Sequence, residues 1–210
     1  MPIDFLASAL VTLLVTVDPP GLAPLFLGIT PGMSTAERRQ VAIRACIIAA
    51  LIMAASGFVG AQLLSALGIT LPAFRIAGGL LLFWIAFEMV FANRQDRKGE
   101  HAEKAITLDH IRNVAAFPLA IPLMAGPGAI TATILLAGRA QGDPVKLALL
   151  MAVIAGVTLS CLVTFLAATR ISKALGVTGN VVLTRLLGVI LAALAVQFVA
   201  DGVRAIVTAG

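Results

Sequence analysis

Charged and polar borders cut the chain into six apolar segments, at about 5–29, 41–67, 71–91, 114–137, 145–168 and 182–200. Each reaches or approaches the roughly 20 residues an α-helix needs to cross a bilayer. A helix is also the open-ended backbone that satisfies its own hydrogen bonds in lipid. Charge inside the segments is sparse: Asp18 in the first, Arg44 near the start of the second, Arg75 and Glu88 in the third, and none in the fourth. One long hydrophilic stretch, 93–113, separates three segments from three. The pattern predicts an all-α integral membrane protein of six transmembrane helices.

Composition excludes the main alternatives. Apolar residues make up 60% of the chain and charged residues 12%, against about 45–50% and about 25% in soluble domains. A water-soluble surface cannot be built from so little charge, and disorder is excluded by the same balance. Tyr is absent and Trp occurs once, so Phe must supply most of the interfacial aromatic belt. Net charge is +5, but the basic residues sit in short loops beside apolar segments, where they act as topology determinants rather than as a nucleic-acid surface. Arg38, Arg39, Arg44, Arg94, Arg97, Lys98, Lys104, Arg112, Arg170, Lys173 and Arg185 fall on one side, and Arg75, Arg139, Lys146 and Arg204 on the other. The richer side is expected in the cytoplasm, with both termini outside. Met1-Pro2-Ile3-Asp4 lacks the positive start of a signal peptide, so the first segment is expected to be retained.

Metal and redox chemistry find no support. Cys46 and Cys161 lie deep in apolar segments and read as small hydrophobes. No Cys/His ligand spacing exists, and His101 and His110 sit with Glu100, Glu103 and Asp109 in the polar connector, a solvated loop.

The chain repeats itself. Arg75-x-x-Gly78 and Arg185-x-x-Gly188 each open an apolar segment, and Pro20-Gly21 in the first segment matches Pro127-Gly128 in the fourth. The matches keep their order at nearly equal offsets. Because each half holds an odd number of spans, the second half would lie upside down relative to the first. The expected organisation is a three-helix repeat over 1–92, a cytoplasmic connector over 93–113, and an inverted three-helix repeat over 114–210. Ala50, Ala54 and Gly57, and likewise Gly78, Leu82 and Ile85, fall on single helix faces as packing stripes.

The most informative residues interrupt spans one and four. Asp18-Pro19-Pro20-Gly21, followed by Pro24, places two adjacent prolines in mid-span, where they remove backbone donors and clash with the preceding turn. Two half-helices joined by extended backbone are expected there. The N-terminus of the second half suits a carboxylate, and the carbonyls ending the first suit a cation. Asp18 at that point would bind an ammonium, coordinate Na⁺ or carry a proton; a simple helix cap is the bland alternative. A carboxylate at membrane depth costs at least about 2.5–3.5 kcal/mol, so it normally faces a cavity and has a partner. Pro118 and Pro122, then Gly126-Pro127-Gly128, break span four in the same way, with Ala125 standing where Asp18 does and Thr131 and Thr133 supplying hydroxyls just beyond. Breaks at matching places in two halves point to a transporter site.

Arg75 and Arg185 either snorkel to the interface or pair at the mouth of a cavity. Glu88 and Asp201 read as interfacial. Gln197 either lines the cavity or bonds a neighbouring helix.

Asp18-Pro19-Pro20-Gly21 with Pro24, the run from Pro118 through Pro122 to Gly126-Pro127-Gly128-Ala129-Ile130, and the two Arg-x-x-Gly starts resemble the MarC family over essentially the whole chain. The resemblance implies a six-span protein of the bacterial inner membrane, of the neutral amino-acid transporter type, moving glycine, alanine or serine coupled to H⁺ or Na⁺. No cofactor is expected beyond such an ion. The expected partners are the bilayer and a small-molecule substrate, with a homo-oligomer left open. The competing readings are a channel-like or structural membrane protein and an exporter of another small solute. An enzyme would need a nucleophile–base pair or metal ligands at membrane depth, and the sequence offers neither.

Overall fold

The computed structural model describes residues 2–91, 114–140 and 142–209; the connector, with His101 and His110, lies outside them. The described residues are helical throughout their main elements and contain no strand. Segment one is a pair of helices, α1 (Pro2–Val17) and α2 (Pro19–Ile29). Segments two and three are α3 (Thr35–Ala66) and α4 (Leu71–Val90). Segment four is a wide-turned stretch, Ala115–Met124, followed by α5 (Pro127–Ala140). Segment five is α6 (Pro144–Leu166), and segment six lies in α7 (Ala168–Ala209).

Local chemistry explains where these helices begin. Ser34 and Glu37 form a reciprocal cap on α3: the Ser34 amide donates to Glu37 Oε2 at 2.7 Å, and the Glu37 amide donates to Ser34 Oγ at 3.3 Å. Thr70 caps α4 by accepting from the Ala73 amide, and Asp143 caps α6 by accepting from the Val145 and Lys146 amides. Along α7, Gly176 leaves helical geometry at φ 59°, ψ −176°, which separates a first stretch from the apolar span Val181–Thr208.

Five helical lengths are long and apolar enough to cross a membrane, or six when Ala115–Met124 and α5, bent by 59°, count as one broken span. Large side chains such as Ile3, Leu51, Phe58, Trp84, Leu186 and Val207 stand exposed on the outside of the bundle, as a protein solvated by lipid requires. The fold is that of an all-α integral membrane protein.

Burial shows which spans stand in the middle. Over its most apolar window, span one is 61% buried, against 28–44% for spans two, three, five and six. Most of α5 is buried as well, with Ala132, Thr133, Leu135, Leu136 and Ala140 wholly inaccessible. The two interrupted spans therefore form the centre and the four uninterrupted ones surround them. They are also exchanged between halves. Helices α1 and α2 pack mainly on α6 and α7, while Ala115–Met124 and α5 pack mainly on α3 and α4.

Glycine sets the closest approaches. A methyl group at Gly79 would meet Val199 and the Ala195 carbonyl, one at Gly188 would meet Met89 and the Ala86 carbonyl, and one at Gly202 would meet Ile76 and the Pro72 carbonyl. Positions rising along α4 thus meet positions falling along α7, so the two helices pack antiparallel with backbones in near contact. Cys46 and Cys161 are buried free thiols.

Candidate functional site

The interruption of span one occupies one residue. Asp18 adopts φ 59°, ψ 64°, and is the positive-φ non-glycine residue of the described chain. Its own amide still donates to the Leu14 carbonyl at 2.9 Å, and its carbonyl still accepts from the Leu22 amide at 3.2 Å. The expected extended linker is therefore replaced by a single left-handed residue. The reason is positional. Pro19 and Pro20 fall in the first turn of α2, where amides have no intrahelical partner, so their missing N–H groups cost nothing there.

The rest of the motif serves the aspartate. Asp18 Oδ1 accepts from the Gly21 amide at 3.3 Å, an N-cap on α2. A side chain at Gly21 would run into that carboxylate, so glycine is what lets it fold over the helix end. Asp18 is 2% exposed. It is a buried carboxylate at the positive end of a helix dipole. Pro19 and Pro20 cannot donate to the carbonyls of Val15 and Thr16, and Pro24 inside α2 cannot donate to that of Pro20.

The second interruption is larger. Phe117 and Ile121 are extended within Ala115–Met124, each preceding a cis proline, Pro118 and Pro122. The Ala125 amide closes the stretch by donating to the Ala120 carbonyl at 2.8 Å, and the chain then turns by 59° into α5. A side chain at Gly126 would collide with the Pro122 carbonyl. Gly128, in the first turn of α5, lies against the Thr16 methyl and Ile85, so this turn rests on the last turn of α1, two residues before Asp18. The two interruptions are thus neighbours across the centre of the bundle. Thr131 is buried with its methyl against Gly78, whereas Thr133 donates to the Ala129 carbonyl at 2.7 Å.

The remaining candidates are placed elsewhere. Arg185 and Gln197 are exposed, and Gln197 donates to Asp201 Oδ1 at 2.6 Å. Arg75 is half-buried and lies near Gly202 at the start of α4. Glu88, at the other end of α4, is buried and accepts the Trp84 indole N–H at 2.9 Å. The charged group that sequence reasoning counted only toward topology is Arg139, which pairs with Asp201 across two spans. Its place in the last turn of a central, otherwise uncharged span was the available signal.

Comparison with known proteins agrees with this architecture. The family described as MarC family integral membrane protein matches residues 3–207. A UPF0056 membrane protein of Archaeoglobus fulgidus is 36% identical over 202 residues, covering 95% of this chain and 92% of its own. The UPF0056 membrane protein YhcE of Escherichia coli is 35% identical over 190 residues, covering 90% and 87%. YvbG of Bacillus subtilis, named likewise, is 31% identical over 204 residues, covering 97% and 96%. No solved structure matches the chain. A match over nearly every residue, on a bundle whose two central spans are broken by the motifs that carry the resemblance, makes the chain a member of the MarC family of integral membrane proteins.

Proposed function

We propose that the protein is a secondary transporter of small zwitterions, neutral amino acids of the glycine, alanine and serine type, coupled to H⁺ or Na⁺. The observation that carries this reading is Asp18, a buried carboxylate at a left-handed residue between two helices of one span, beside the first turn of another broken span. A buried charge at membrane depth is expensive and marks ion or substrate pathways. In this reading Asp18 meets the amine or the coupling cation. The substrate carboxylate meets amides in the first turns of α2 and α5, around Gly21 and Gly128. Pro19, Pro20, Pro24, Gly126 and Pro127 shape the two ends, and Thr131 offers its hydroxyl.

The inverted three-helix repeat belongs to the same proposal. Antiparallel packing of spans three and six through Gly79 and Gly188 supports it, as does the way span two packs on span four while span five packs on span one. So does the bacterial inner-membrane setting with both termini outside, supported by the distribution of Lys and Arg.

The test is concentrative uptake of labelled alanine, glycine and serine into proteoliposomes under imposed Na⁺ or H⁺ gradients. Asp18→Asn is nearly isosteric and should abolish gradient-driven uptake while the protein stays folded. Asp18→Glu should keep part of the activity with a changed ion dependence. Undiminished uptake by Asp18→Asn would remove the carboxylate from the mechanism and leave it as a helix cap.

A further inference from the structure

On the face of the bundle where both termini lie, the ends of four spans meet in one polar cluster. Arg139, in the last turn of α5, donates from Nη2 to Asp201 Oδ2 of α7 at 2.5 Å. Its Nη1 lies 3.4 Å from Ser8 Oγ of α1, and its guanidinium stands 4.4 Å over the centre of the Phe198 ring. Gln197 donates to the other Asp201 oxygen. Arg75 of α4 stands near enough to feel the charges of Arg139 and Asp201, and its Nε is buried with no hydrogen-bond acceptor. One carboxylate therefore stands between two guanidiniums and bonds only one of them.

We infer that this cluster is a latch with two settings: Asp201 bonds Arg139 when the terminal face is closed, as here, and bonds Arg75 when α5 moves away. A buried donor without an acceptor is a standing cost, and so is a carboxylate stripped of its partner. With a carboxylate shared between two arginines, either setting leaves only one guanidinium unpaired, so neither setting is strongly favoured over the other. That is what a two-state element requires.

Packing identifies the part that moves. Gly202, next to Asp201, is so close to the Pro72 carbonyl and Arg75 Cβ that no methyl group fits between them. Asp201 and Arg75 thus travel together on a joined α4–α7 unit. Helix α5 carries Arg139 at one end and begins beside the 59° bend at the other. At 1.5 Å per residue it is about 20 Å long, so a swing of about 10° at the bend moves Arg139 by about 3–4 Å, enough to break its bond to Asp201. Hinge and latch then lie at opposite ends of one central helix. The inference rests on the transporter reading for its purpose, as the gate on this face, and its test reads accessibility rather than uptake.

Thr12 is wholly buried one helical turn inside Ser8, whose carbonyl it bonds. The experiment uses the full chain in proteoliposomes with Cys46→Ala, Cys161→Ala and Thr12→Cys, and follows the rate of maleimide labelling. Arg139→Gln, which removes the closed setting alone, should raise that rate at least about tenfold, and reversing the pair with Arg139→Asp and Asp201→Arg should bring it below the parent value, because an arginine at 201 cannot bond Arg75 in the second setting. Arg75→Gln removes the second setting and should slow labelling several-fold. If Arg139→Gln does not fold, Arg139→Lys decides, since it keeps the charge but loses the fork and should raise the rate about threefold. An unchanged rate in a folded Arg139→Gln or Arg139→Lys protein would overturn the latch. A rate in Arg75→Gln equal to or above the parent would overturn the exchange. Loss of uptake with these labelling rates intact would count against the transporter reading alone.

Discussion

The two central spans are broken by similar residues in different ways. In span one the interruption is a single left-handed aspartate, bonded on both sides to the helices it joins and capping the second. In span four it is a wide-turned stretch ending in a 59° bend, with no acidic residue in it. Two prolines in the first turn of a helix replace amides that would be idle. Two prolines four residues apart and upstream of the break, as at Pro118 and Pro122, leave the ladder short of donors over a longer stretch. The side chain at the junction makes the rest of the difference. Asp18 supplies an acceptor to the new helix, which Ala125 cannot do. Span one thus carries a charge and runs on as one apolar length, and span four is neutral and turns by 59°.

That contrast can be broken by substitution. The largest effect is expected from Gly126→Ala, because the new methyl would press on the Pro122 carbonyl, and backbone cannot step aside. Overpacking of this kind costs about 3 kcal/mol, which should appear as a large fall in thermal unfolding temperature in detergent. Gly21→Ala should cost less, about 1–2 kcal/mol, because the clash is with the Asp18 side chain, which can rotate away and forfeit its cap. If Gly21→Ala proves the more damaging of the two, the rigid break is the one in span one. Asp18→Asn should leave stability within about 1 kcal/mol or raise it, since asparagine caps as well as aspartate and removes a buried charge. Its unfolding temperature beside the uptake assay separates capping from transport. Smallest of all is Pro24→Ala, expected within about 0.5 kcal/mol of the parent. The regained amide bond to the Pro20 carbonyl is offset by the freer unfolded chain.

Much of this was legible in the sequence. Charged borders located the spans because the hydrocarbon core excludes charge, and Pro-Gly pairs located both breaks because few residues can stop a helix in mid-membrane. The form of the breaks was less legible. An extended linker is the natural reading of two prolines after Asp18, yet the residue count places them in the one turn where proline is harmless. The cis geometry before Pro118 and Pro122 leaves no mark in the local sequence. Least visible was the Arg139–Asp201 pair, whose members are 62 residues apart and meet only because spans four and six end on one face. Arg75 and Arg185 illustrate the same limit. They occupy matching places in the sequence, but one enters that cluster and the other lies on the surface.

The exchange of central spans between halves also bears on how the protein is made. Helix α1 leaves the ribosome first, but its main neighbour is α6, Pro144–Leu166, synthesised long after it. At about 5–20 residues per second the delay is on the order of ten seconds. Through that interval the span carrying Asp18 has none of its final neighbours from the second half, so it must wait beside the insertion machinery or in lipid with its carboxylate exposed. The cap from Asp18 to the Gly21 amide needs no other span and is available from the outset. A bond made within four consecutive residues thus gives the nascent span a way to hold its charge until the later half arrives to enclose it.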